Sequence, residues 1–536
     1  MPRFLRSPLG VALLLFAFAL ALRVAGLTWG LPTATRWYSL HPDERQVASA
    51  AFSLDFFAGD FNPDFYNYPS LFIYLTYFVH GALALFGFFA PLSNATAQWQ
   101  LLHDFILSGR VVSAILGAAT APVVFFLARA ALTNRPRAAL FAGVATALAP
   151  GFVQHSHFAT VDCAATFFIA LSLLFATRAL NFTGREATRA LLFSAACAGL
   201  AAATKYNAGL VVVAPLCAAW QLRRALDFDR TLWFKIPIIA AIFFFLGCPG
   251  ALLYSRDFWG DGQNTGFAYE LFKHPREGSG EIFQATGNGW IYHLGFNLPF
   301  TFTAPALLLA LVGIGLAVRA KETRSAPSLV FAALFLVSLG FSQVRFMRYV
   351  FPLVPVLCVG LAALALLPRT AARAASIATV GLLVVAASNA LAPFVQTDPR
   401  DKLVQQVLST SPSIGLLETP WFWTPPFSPQ DAPPGTPPQL SQQALAANPK
   451  TRLVLVPDAA TLSKEKPLAV AISEFEWRDK ERLANPQYLQ WKQTLESSYE
   501  KSLEVEANIP FLLPGRAFVP HDFLYTHPRV RLYQQR

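Results

Sequence analysis

The stretch HDFILSGRVVSAILGAATAPVVFFLARA, residues 103–130, decides the class of fold. It is almost entirely apolar and longer than the roughly 20 helical residues that cross a bilayer. Similar stretches recur along a chain of 536 residues, of which 54% are hydrophobic and 14% are charged. A soluble protein would carry about 25% charged residues. The sequence therefore predicts an all-α polytopic membrane protein over most of its length.

Eleven apolar segments have the composition of membrane spans. We place them at residues 8–30, 103–130, 138–152, 161–180, 188–206, 207–222, 232–253, 298–318, 327–342, 347–367 and 373–393. Arg and Lys gather in every second connection, as Arg135 and Arg137 do after the second span. The positive-inside rule assigns such connections to the cytoplasm. This predicts a multi-pass protein of the bacterial inner membrane with a cytoplasmic N-terminus, and it explains the net charge of +11 without a nucleic-acid partner.

Two long connections then lie on the outer side, residues 31–102 and 254–297. The first contains an apolar run, 69–90, that is long enough to span. Counting it as a span would move several basic connections outside, so we predict two interfacial helices here, over 42–58 and 69–90. A true span over 69–90 is the alternative. In the second connection, the Gly-rich centre of 272–294 is either a mobile flap over a cavity or a turn-rich connector, and we favour the flap.

The segment 394–536 differs in composition from the helical domain 1–393 and predicts a small extracytoplasmic α/β domain. Its elements are predicted from four stretches: a Pro-rich connector at 424–438, a buried strand at 452–458, an amphipathic helix at 486–503 and a terminal strand at 529–535. The aromatic stretch ETPWFWTPPF, residues 418–427, could stack on a sugar ring or pack the tail onto the membrane face. We favour packing, because exposed Trp and Phe near a bilayer usually anchor.

Charged residues that interrupt the apolar spans fall at their predicted outer ends. The tetrapeptide HPDE, residues 41–44, places Asp43 and Glu44 side by side where the chain leaves the bilayer. The others are Arg23, Asp162, Lys205, Arg345 and Arg348. A charge at the bilayer centre costs about 2.5–3.5 kcal/mol, and less near the interface, where a cation can simply snorkel. Carboxylates snorkel poorly, and both signs converge at one depth, which favours a functional site.

Carboxylates beside cations at one membrane face suit the transfer of a sugar from a lipid phosphate. Arg and Lys can bind the phosphate and stabilise it as it leaves. A carboxylate can take the proton from the attacking acceptor hydroxyl. The alternative is a multi-span transporter or flippase of a lipid-linked or anionic substrate. Transporters usually show paired repeats and polar helices near the midplane, and this sequence shows neither.

Six stretches, in this order, resemble the GT-C glycosyltransferases that use polyprenyl-phosphate sugars. They are HPDE (41–44), NYPSLFIYL (67–75), SGRVVSAILGA (108–118), SHFATVDCAATFF (156–168), TKYNAGL (204–210) and RYVFPLVP (348–355). The nearest relatives look like the protein O-mannosyltransferases and the lipid A aminoarabinose transferases. The resemblance implies a GT-C fold within membrane lipids, a polyprenyl-phosphate sugar donor, and a glycan, lipid or protein acceptor.

The resemblance also implies roles for the site residues. Asp43 would be the catalytic base, and Glu44 would help to orient the acceptor or the sugar. Candidates for binding the donor phosphate or sugar are Lys205, Arg345, Arg348, Asp162, Tyr68 and His157. The structural alternative for the acidic pair is an N-terminal cap of the helix that follows it.

The chain departs from the transferase pattern just before Pro69. The transferases have a Glu-Lys pair there, and this chain has Asn67 and Tyr68. That Glu is a metal ligand in the transferases, with a His and a Tyr that resemble His274 and Tyr349. Its loss puts a bound divalent metal in doubt, and the loss of the Lys moves phosphate binding towards the cations named above.

Overall fold

The computed structural model describes residues 7–33, 36, 38–89, 98–133, 135–225, 227–407, 413–427, 452–509 and 519–536. Most of the Pro-rich stretch 424–438 lies outside the described residues, as do the basic Arg3 and Arg6 before the first span. Helices fill the chain up to Leu391, and a small sheet follows. This agrees with the predicted order of a helical domain and a C-terminal α/β domain.

Each of the eleven predicted spans coincides with helix in the described part of the chain. The helices, several of them broken, are Pro8–Val24, Gln98–Ala131, Pro136–Leu148 with Pro150–His155, Val161–Ala179, Gly184–Thr204, Tyr206–Val212 with Val213–Leu222, Leu232–Gly247 with Gly250–Leu253, Leu298–Phe302 with Ala304–Arg319, Ala326–Gly340, Met347–Leu353 with Val354–Ala363 and Leu364–Leu366, and Arg369–Leu391. By length and hydropathy, six of the described helices, or seven if one bent pair counts as a span, are able to cross a membrane, and five shorter apolar helices accompany them. The membrane-helix architecture is confirmed, and the count of eleven stays a prediction.

Small residues let these helices approach one another closely. A Cβ atom added to Gly313 would lie 1.9 Å from the carbonyl oxygen of Gly360, and one added to Gly199 would lie 2.2 Å from that of Ala240. Such contacts are typical of membrane helices, where van der Waals packing takes the place of the hydrophobic effect. The rest of the bundle is held by one large cluster of buried apolar side chains.

The connection after the first span contains two helices, Glu44–Phe52 and Leu71–Leu85. Both are shorter than predicted, and both bury apolar side chains such as Val47 and Phe72 in a shared cluster. The 15 residues of the second helix extend over about 22 Å, less than the roughly 30 Å of a hydrocarbon core. The two predicted helices are present, and the interfacial position of the second stays a prediction.

The second long connection folds into short helical pieces. They are Ser255–Trp259, Gly266–Ala268, Tyr269–Lys273, His274–Glu277, Gly280–Phe283, Gly289–Tyr292 and His293–Asn297, of which Tyr269–Lys273 and His293–Asn297 are π-helical. Arg482 of the C-terminal domain donates hydrogen bonds to the carbonyl oxygens of Glu281 and Gln284, at 2.8 and 2.6 Å. The connection is therefore tied to that domain, and movement as a flap stays a prediction.

The C-terminal domain is built on a five-stranded sheet. Its strands are β1 (Ser413–Leu416), β2 (Arg452–Leu455), β3 (Ala469–Ser473), β4 (Tyr499–Val505) and β5 (Val530–Gln535), in the order β2-β1-β3-β5-β4. Strand β1 is parallel to β2 and β3, and β5 is antiparallel to β3 and β4. The helices of the domain are Pro399–Val407, Ala459–Glu465, Glu474–Arg482 and Pro486–Ser498.

The two predicted strands of this domain are present, but β2 is a partly exposed edge strand and not a buried one, and one predicted helix is too long. The segments 452–458 and 529–535 contain β2 and β5. The amphipathic helix predicted over 486–503 ends at Ser498, because the chain from Tyr499 pairs with β5 as strand β4. Pairing with a distant strand is tertiary information that local periodicity does not carry.

A short 3₁₀ helix, His521–Thr526, joins the C-terminal domain to the helical bundle. The carboxylate of Asp522 accepts hydrogen bonds from the backbone N–H groups of Met347 (2.9 Å) and Arg348 (3.1 Å). The side-chain amide of Gln154 donates to the carbonyl oxygen of Phe523 at 2.8 Å. The C-terminal domain therefore covers the end of the bundle at which HPDE lies, and we call this the site side.

Candidate active site

Two adjoining cavities lie on the site side. The Asp43 cavity, of about 430 Å³, is lined by Asp43, Arg348 and aromatic residues of the C-terminal domain. The Lys205 cavity, of about 180 Å³, is lined by Lys205 and by apolar side chains of the bundle. Five residues border both cavities and form what we call the neck: Asn67, Tyr68, Glu270, His274 and Tyr349. Asp43 and Lys205 thus line different cavities that share one neck.

Asp43 presents an accessible carboxylate to its cavity. It occupies the N-cap position of the helix Glu44–Phe52, as the cap alternative implies, but its side chain makes no capping hydrogen bond there. Its backbone N–H donates to Nδ1 of His41 at 3.2 Å, which fixes the turn. Its Oδ2 lies 2.8 Å from Nη2 of Arg348, and 24% of its side chain stays exposed. The carboxylate is oriented but open to a substrate.

Arg348 brings together three carboxylates from distant parts of the chain. Besides Asp43, its guanidinium lies 3.7 Å from Asp162 Oδ2 and 3.6 Å from Asp522 Oδ2. Its side chain is only 4% exposed. A buried cation is stable only where it is paired and hydrogen-bonded. The cluster around Arg348 therefore joins the first connection, the start of the helix Val161–Ala179 and the C-terminal domain.

Lys205 lies where the helix Gly184–Thr204 ends. Its Nζ is 2.6 Å from Oδ1 of Asp162 and 4.1 Å from the centre of the Tyr349 ring. Asp162 therefore bridges two cations, Lys205 and Arg348. An ionic chain Asp43–Arg348–Asp162–Lys205 runs from one cavity to the other.

Glu270 is a site residue that sequence reasoning missed. It belongs to the π-helical segment Tyr269–Lys273 of the second connection and lies in the neck. Burial raises its pKa to about 7, against the opposing charge of Lys205. Its side chain interacts with Asn67, at the position where the aminoarabinose transferases carry a Glu. The signal in the sequence is a single carboxylate within the otherwise apolar run FAYELF, residues 267–272.

Glu44 lies beneath the site and lines neither cavity. It is fully buried, and its two oxygens accept from Arg110 at 2.7 and 2.8 Å and from the backbone N–H of Ala159 at 2.9 Å. With these partners its oxygens do not reach a substrate. The geometry gives Glu44 a structural role in place of the predicted contact with the acceptor or sugar.

Three further candidates for donor binding line neither cavity. Asp162 is one, and it is paired with Lys205 and Arg348; the other two are His157 and Arg345. His157 is fully buried, and its ring nitrogens lie 2.9 Å and 3.0 Å from the carbonyl oxygens of Val153 and Ala25. Arg345 donates to Thr286 Oγ1 and to the carbonyl oxygen of Gly287, both at 2.8 Å. Both side chains hold connections in place, since their donors are satisfied within the protein. Of the cations predicted to bind phosphate, Lys205 and Arg348 line the cavities.

The neck residues do not fit a divalent metal. His274 and Tyr349 do meet there, as the resemblance implies. However, Nδ1 of His274 is 3.3 Å from the hydroxyl of Tyr269, and the ammonium group of Lys205 lies over the Tyr349 ring, where it would repel a metal cation. No group of three or more His, Cys, Asp or Glu side chains able to hold a metal occurs in the described part of the chain.

The chain is similar to one protein family and to several solved structures. Residues 62–259 match the model of the dolichyl-phosphate-mannose-protein mannosyltransferase family. The crystal structure of apo ArnT from Cupriavidus metallidurans aligns at a TM-score of 0.51 and 16% identity, covering 98% of both chains. The chain has the ArnT fold. ArnT is a lipid A aminoarabinose transferase of the GT-C superfamily, so the resemblance predicted from sequence is confirmed.

A second ArnT structure, bound to undecaprenyl phosphate, aligns at a TM-score of 0.50 and 16% identity, again over 98% of both chains. The Pmt1-Pmt2 protein O-mannosyltransferase complex of S. cerevisiae aligns over 48% of this chain and 34% of its own, with 20% identity and a TM-score of 0.32. No curated protein sequence matches the chain significantly. Since identity to ArnT is low, the likeness establishes the ArnT fold and the small C-terminal sheet domain that goes with it.

Proposed function

We propose that this protein is a membrane glycosyltransferase that moves a hexosyl or pentosyl group from a polyprenyl-phosphate carrier to an acceptor hydroxyl or phosphate. The observation that carries the proposal is that Asp43 and Lys205 line two cavities that share the neck. A glycosyl transfer needs a base for the acceptor hydroxyl and a cation for the leaving phosphate, and Asp43 and Lys205 could supply them. The ArnT fold supports it, since ArnT has been solved with undecaprenyl phosphate.

The donor is assigned to the Lys205 cavity. Its phosphate would bind Lys205 and the hydroxyl groups of the neck tyrosines, Tyr68 and Tyr349. Its isoprenoid chain would pack against the apolar lining, which includes Leu271 and Leu339. Placing the phosphate beside a fixed ammonium stabilises the charge that develops when the sugar leaves.

The transfer is one displacement. Asp43 takes the proton of the acceptor hydroxyl, and the oxygen attacks the anomeric carbon of the donor sugar. The bond from that carbon to the phosphate oxygen breaks, and polyprenyl phosphate leaves with its charge stabilised by Lys205. Because the acceptor oxygen in a single displacement attacks the face opposite to the leaving phosphate, the anomeric configuration should invert. The product should therefore show the opposite anomer by NMR.

The cellular setting follows from the charge pattern. The basic connections assign the side opposite the C-terminal domain to the cytoplasm. The site would then face the outside of a bacterial inner membrane, where lipid-linked sugars meet envelope acceptors. A transporter or flippase, the alternative, would move such a lipid without forming a glycosidic bond.

Donor binding and sugar transfer by the purified protein in nanodiscs test the proposal. We expect the native protein to bind undecaprenyl phosphate and to consume a polyprenyl-phosphate sugar, but not a nucleotide sugar. Lys205→Ala should weaken binding about 10- to 100-fold, because a charge-assisted contact contributes about 1.5–3 kcal/mol. Lys321→Ala, an exposed lysine on the other side, is the matched control. Turnover with a nucleotide sugar in the absence of lipid carrier would contradict the proposal.

A further inference from the structure

The C-terminal domain lines the Asp43 cavity with a cluster of aromatic rings. We call Phe422, Trp423, Phe475 and Tyr525 the aromatic array. The ring of Phe422 lies 5.0 Å from those of Trp423 and Phe475 and 5.5 Å from that of Tyr525, measured between ring centres. Asp43 lines the same cavity. A base and an aromatic surface therefore face one space.

A buried arginine fixes the backbone of this array. Arg400 is fully buried and donates to the carbonyl oxygens of Phe422 and Tyr525, both at 2.7 Å. Its guanidinium is paired with the carboxylate of Asp398 at 2.7 and 2.8 Å. Two segments far apart in sequence are thus held in one arrangement. Such rigid support is typical of a binding surface whose geometry matters.

The same cavity contains buried polar atoms that lack a partner. Neither Nε1 of Trp423 nor Nδ1 of His521 has a hydrogen-bond partner among the residues that the structure describes, and both residues line the cavity. Burial lowers the pKa of His521 to about 3, so its ring is neutral. A buried polar atom left unpaired costs about 1–3 kcal/mol. A small shift of the two side chains towards the cavity would let ligand hydroxyl groups satisfy both atoms.

The charge of the lining disfavours an anionic occupant near Asp43, although Glu418 is paired with Lys480 and Glu270, with a pKa of about 7, is partly neutral. Three carboxylates line the Asp43 cavity, namely Asp43, Glu270 and Glu418, whereas Arg348 is the one Lys or Arg among its described lining residues. That guanidinium is already shared between carboxylates. A phosphate group on the acceptor would be repelled here, whereas a neutral polyol would find hydrogen-bond acceptors.

We propose that the aromatic array is the acceptor subsite and that the acceptor is a neutral saccharide. The inference rests on the proposed glycosyl transfer and names its acceptor class. A sugar ring has a face of C–H groups that packs on aromatic rings, and hydroxyl groups at its edge that bond to polar atoms. The aromatic array would pack against the C–H face of the sugar. Trp423, His521 and Glu418 would form hydrogen bonds with its hydroxyl groups. One hydroxyl of the bound ring is then presented to Asp43.

Saturation-transfer NMR on the full-length protein in nanodiscs tests this assignment. The neutral probes are the methyl glycosides of glucose, mannose and galactose, and the competing probes are mannose 6-phosphate and the blocked tripeptide Ala-Thr-Ala. Undecaprenyl phosphate is present in saturating amount. We expect transfer to the ring C–H protons of at least one methyl glycoside, and neither the phosphate nor the peptide to displace it.

Variants locate the bound sugar. Trp423→Ala should weaken methyl glycoside binding about tenfold, in line with the loss of an aromatic contact, and leave undecaprenyl phosphate binding unchanged. Trp259→Ala, an exposed tryptophan outside the Asp43 cavity, is the control and should bind as the native protein does. Stronger binding of mannose 6-phosphate or the peptide would overturn the inference. So would sugar binding that survives Trp423→Ala or is lost in Lys205→Ala. Failure to bind undecaprenyl phosphate would instead overturn the proposed function.

Discussion

Oδ2 of Asp43 lies 2.8 Å from Nη2 of Arg348, although the two residues are 305 positions apart. Asp43 comes from the first connection and Arg348 from the start of a late span. The contact therefore joins the two ends of the helical domain at the cavity. Because Arg348 also meets Asp162 and Asp522, it sets the position of the carboxylate that we assign as the base.

Removing Arg348 should destabilise the whole protein. Arg348→Ala leaves three carboxylates, two of them buried, without their shared cation. Loss of one partner of a buried ion pair typically destabilises by about 3–5 kcal/mol. Unfolding monitored in detergent should show a loss of that size. Arg230→Ala, at an exposed position, should have little effect, and equal stability of the two variants would contradict the role given to Arg348.

Replacing Glu44 should impair folding without a specific effect on chemistry. Glu44→Gln leaves Arg110 buried without a counter-charge. Replacing both residues, Glu44→Gln with Arg110→Met, should restore much of the stability, since no unpaired charge is then left buried. The readouts are the free energy of unfolding and the turnover per folded molecule. A Glu44→Gln protein of native stability and no turnover would place Glu44 in the reaction.

Donor binding should depend on pH through Glu270. Its pKa is raised by burial to about 7, so it is neutral at lower pH and becomes anionic as the pH rises through 7. The anion would compete with the donor phosphate for Lys205 and repel it. The Kd for undecaprenyl phosphate should therefore increase between pH 6 and pH 8. Glu270→Gln should remove the part of this dependence that arises near pH 7, and an unchanged profile would contradict this role.

The orientation in the membrane can be tested by cysteine labelling. In a cysteine-free background, Ala460→Cys in the C-terminal domain and Lys321→Cys on the opposite side are both exposed in the fold. An impermeant maleimide added to intact cells should label the first and not the second. The probe positions Gly435 and Asn134, suggested by the sequence alone, lie outside the described residues. Labelling of Lys321→Cys from outside would contradict the predicted orientation in the membrane.

Much of the fold follows from local sequence. Apolar length locates the helices, because a bilayer imposes it, and period-two patterns locate β2 and β5. The breaks within spans were missed, because apolar length alone does not register the prolines at which some of them lie, such as Pro150 and Pro249. The switch from helix to strand at Tyr499 was missed as well, because it is set by pairing with β5.

The site was predicted in part. Asp43, Lys205, Asp162 and Arg348 could be found because charges are rare in apolar spans, and the structure connects all four. Glu44 shares the sequence signal of Asp43 but points to Arg110, and adjacent positions do not reveal which side chain faces a cavity. Glu270 was missed because a carboxylate in a polar connection is common, and only its burial in the neck distinguishes it.

The most direct test of the account is the single-turnover rate of Asp43→Asn with a polyprenyl-phosphate sugar. Asn keeps the shape of the side chain but cannot accept a proton, so transfer should fall by about 10²–10⁴-fold, the range of a general base. Binding of undecaprenyl phosphate should remain near native, since Lys205 lies in the other cavity. Asp227→Asn, at an exposed position away from the site, should transfer at the native rate. Transfer at the native rate by folded Asp43→Asn would contradict the central claim.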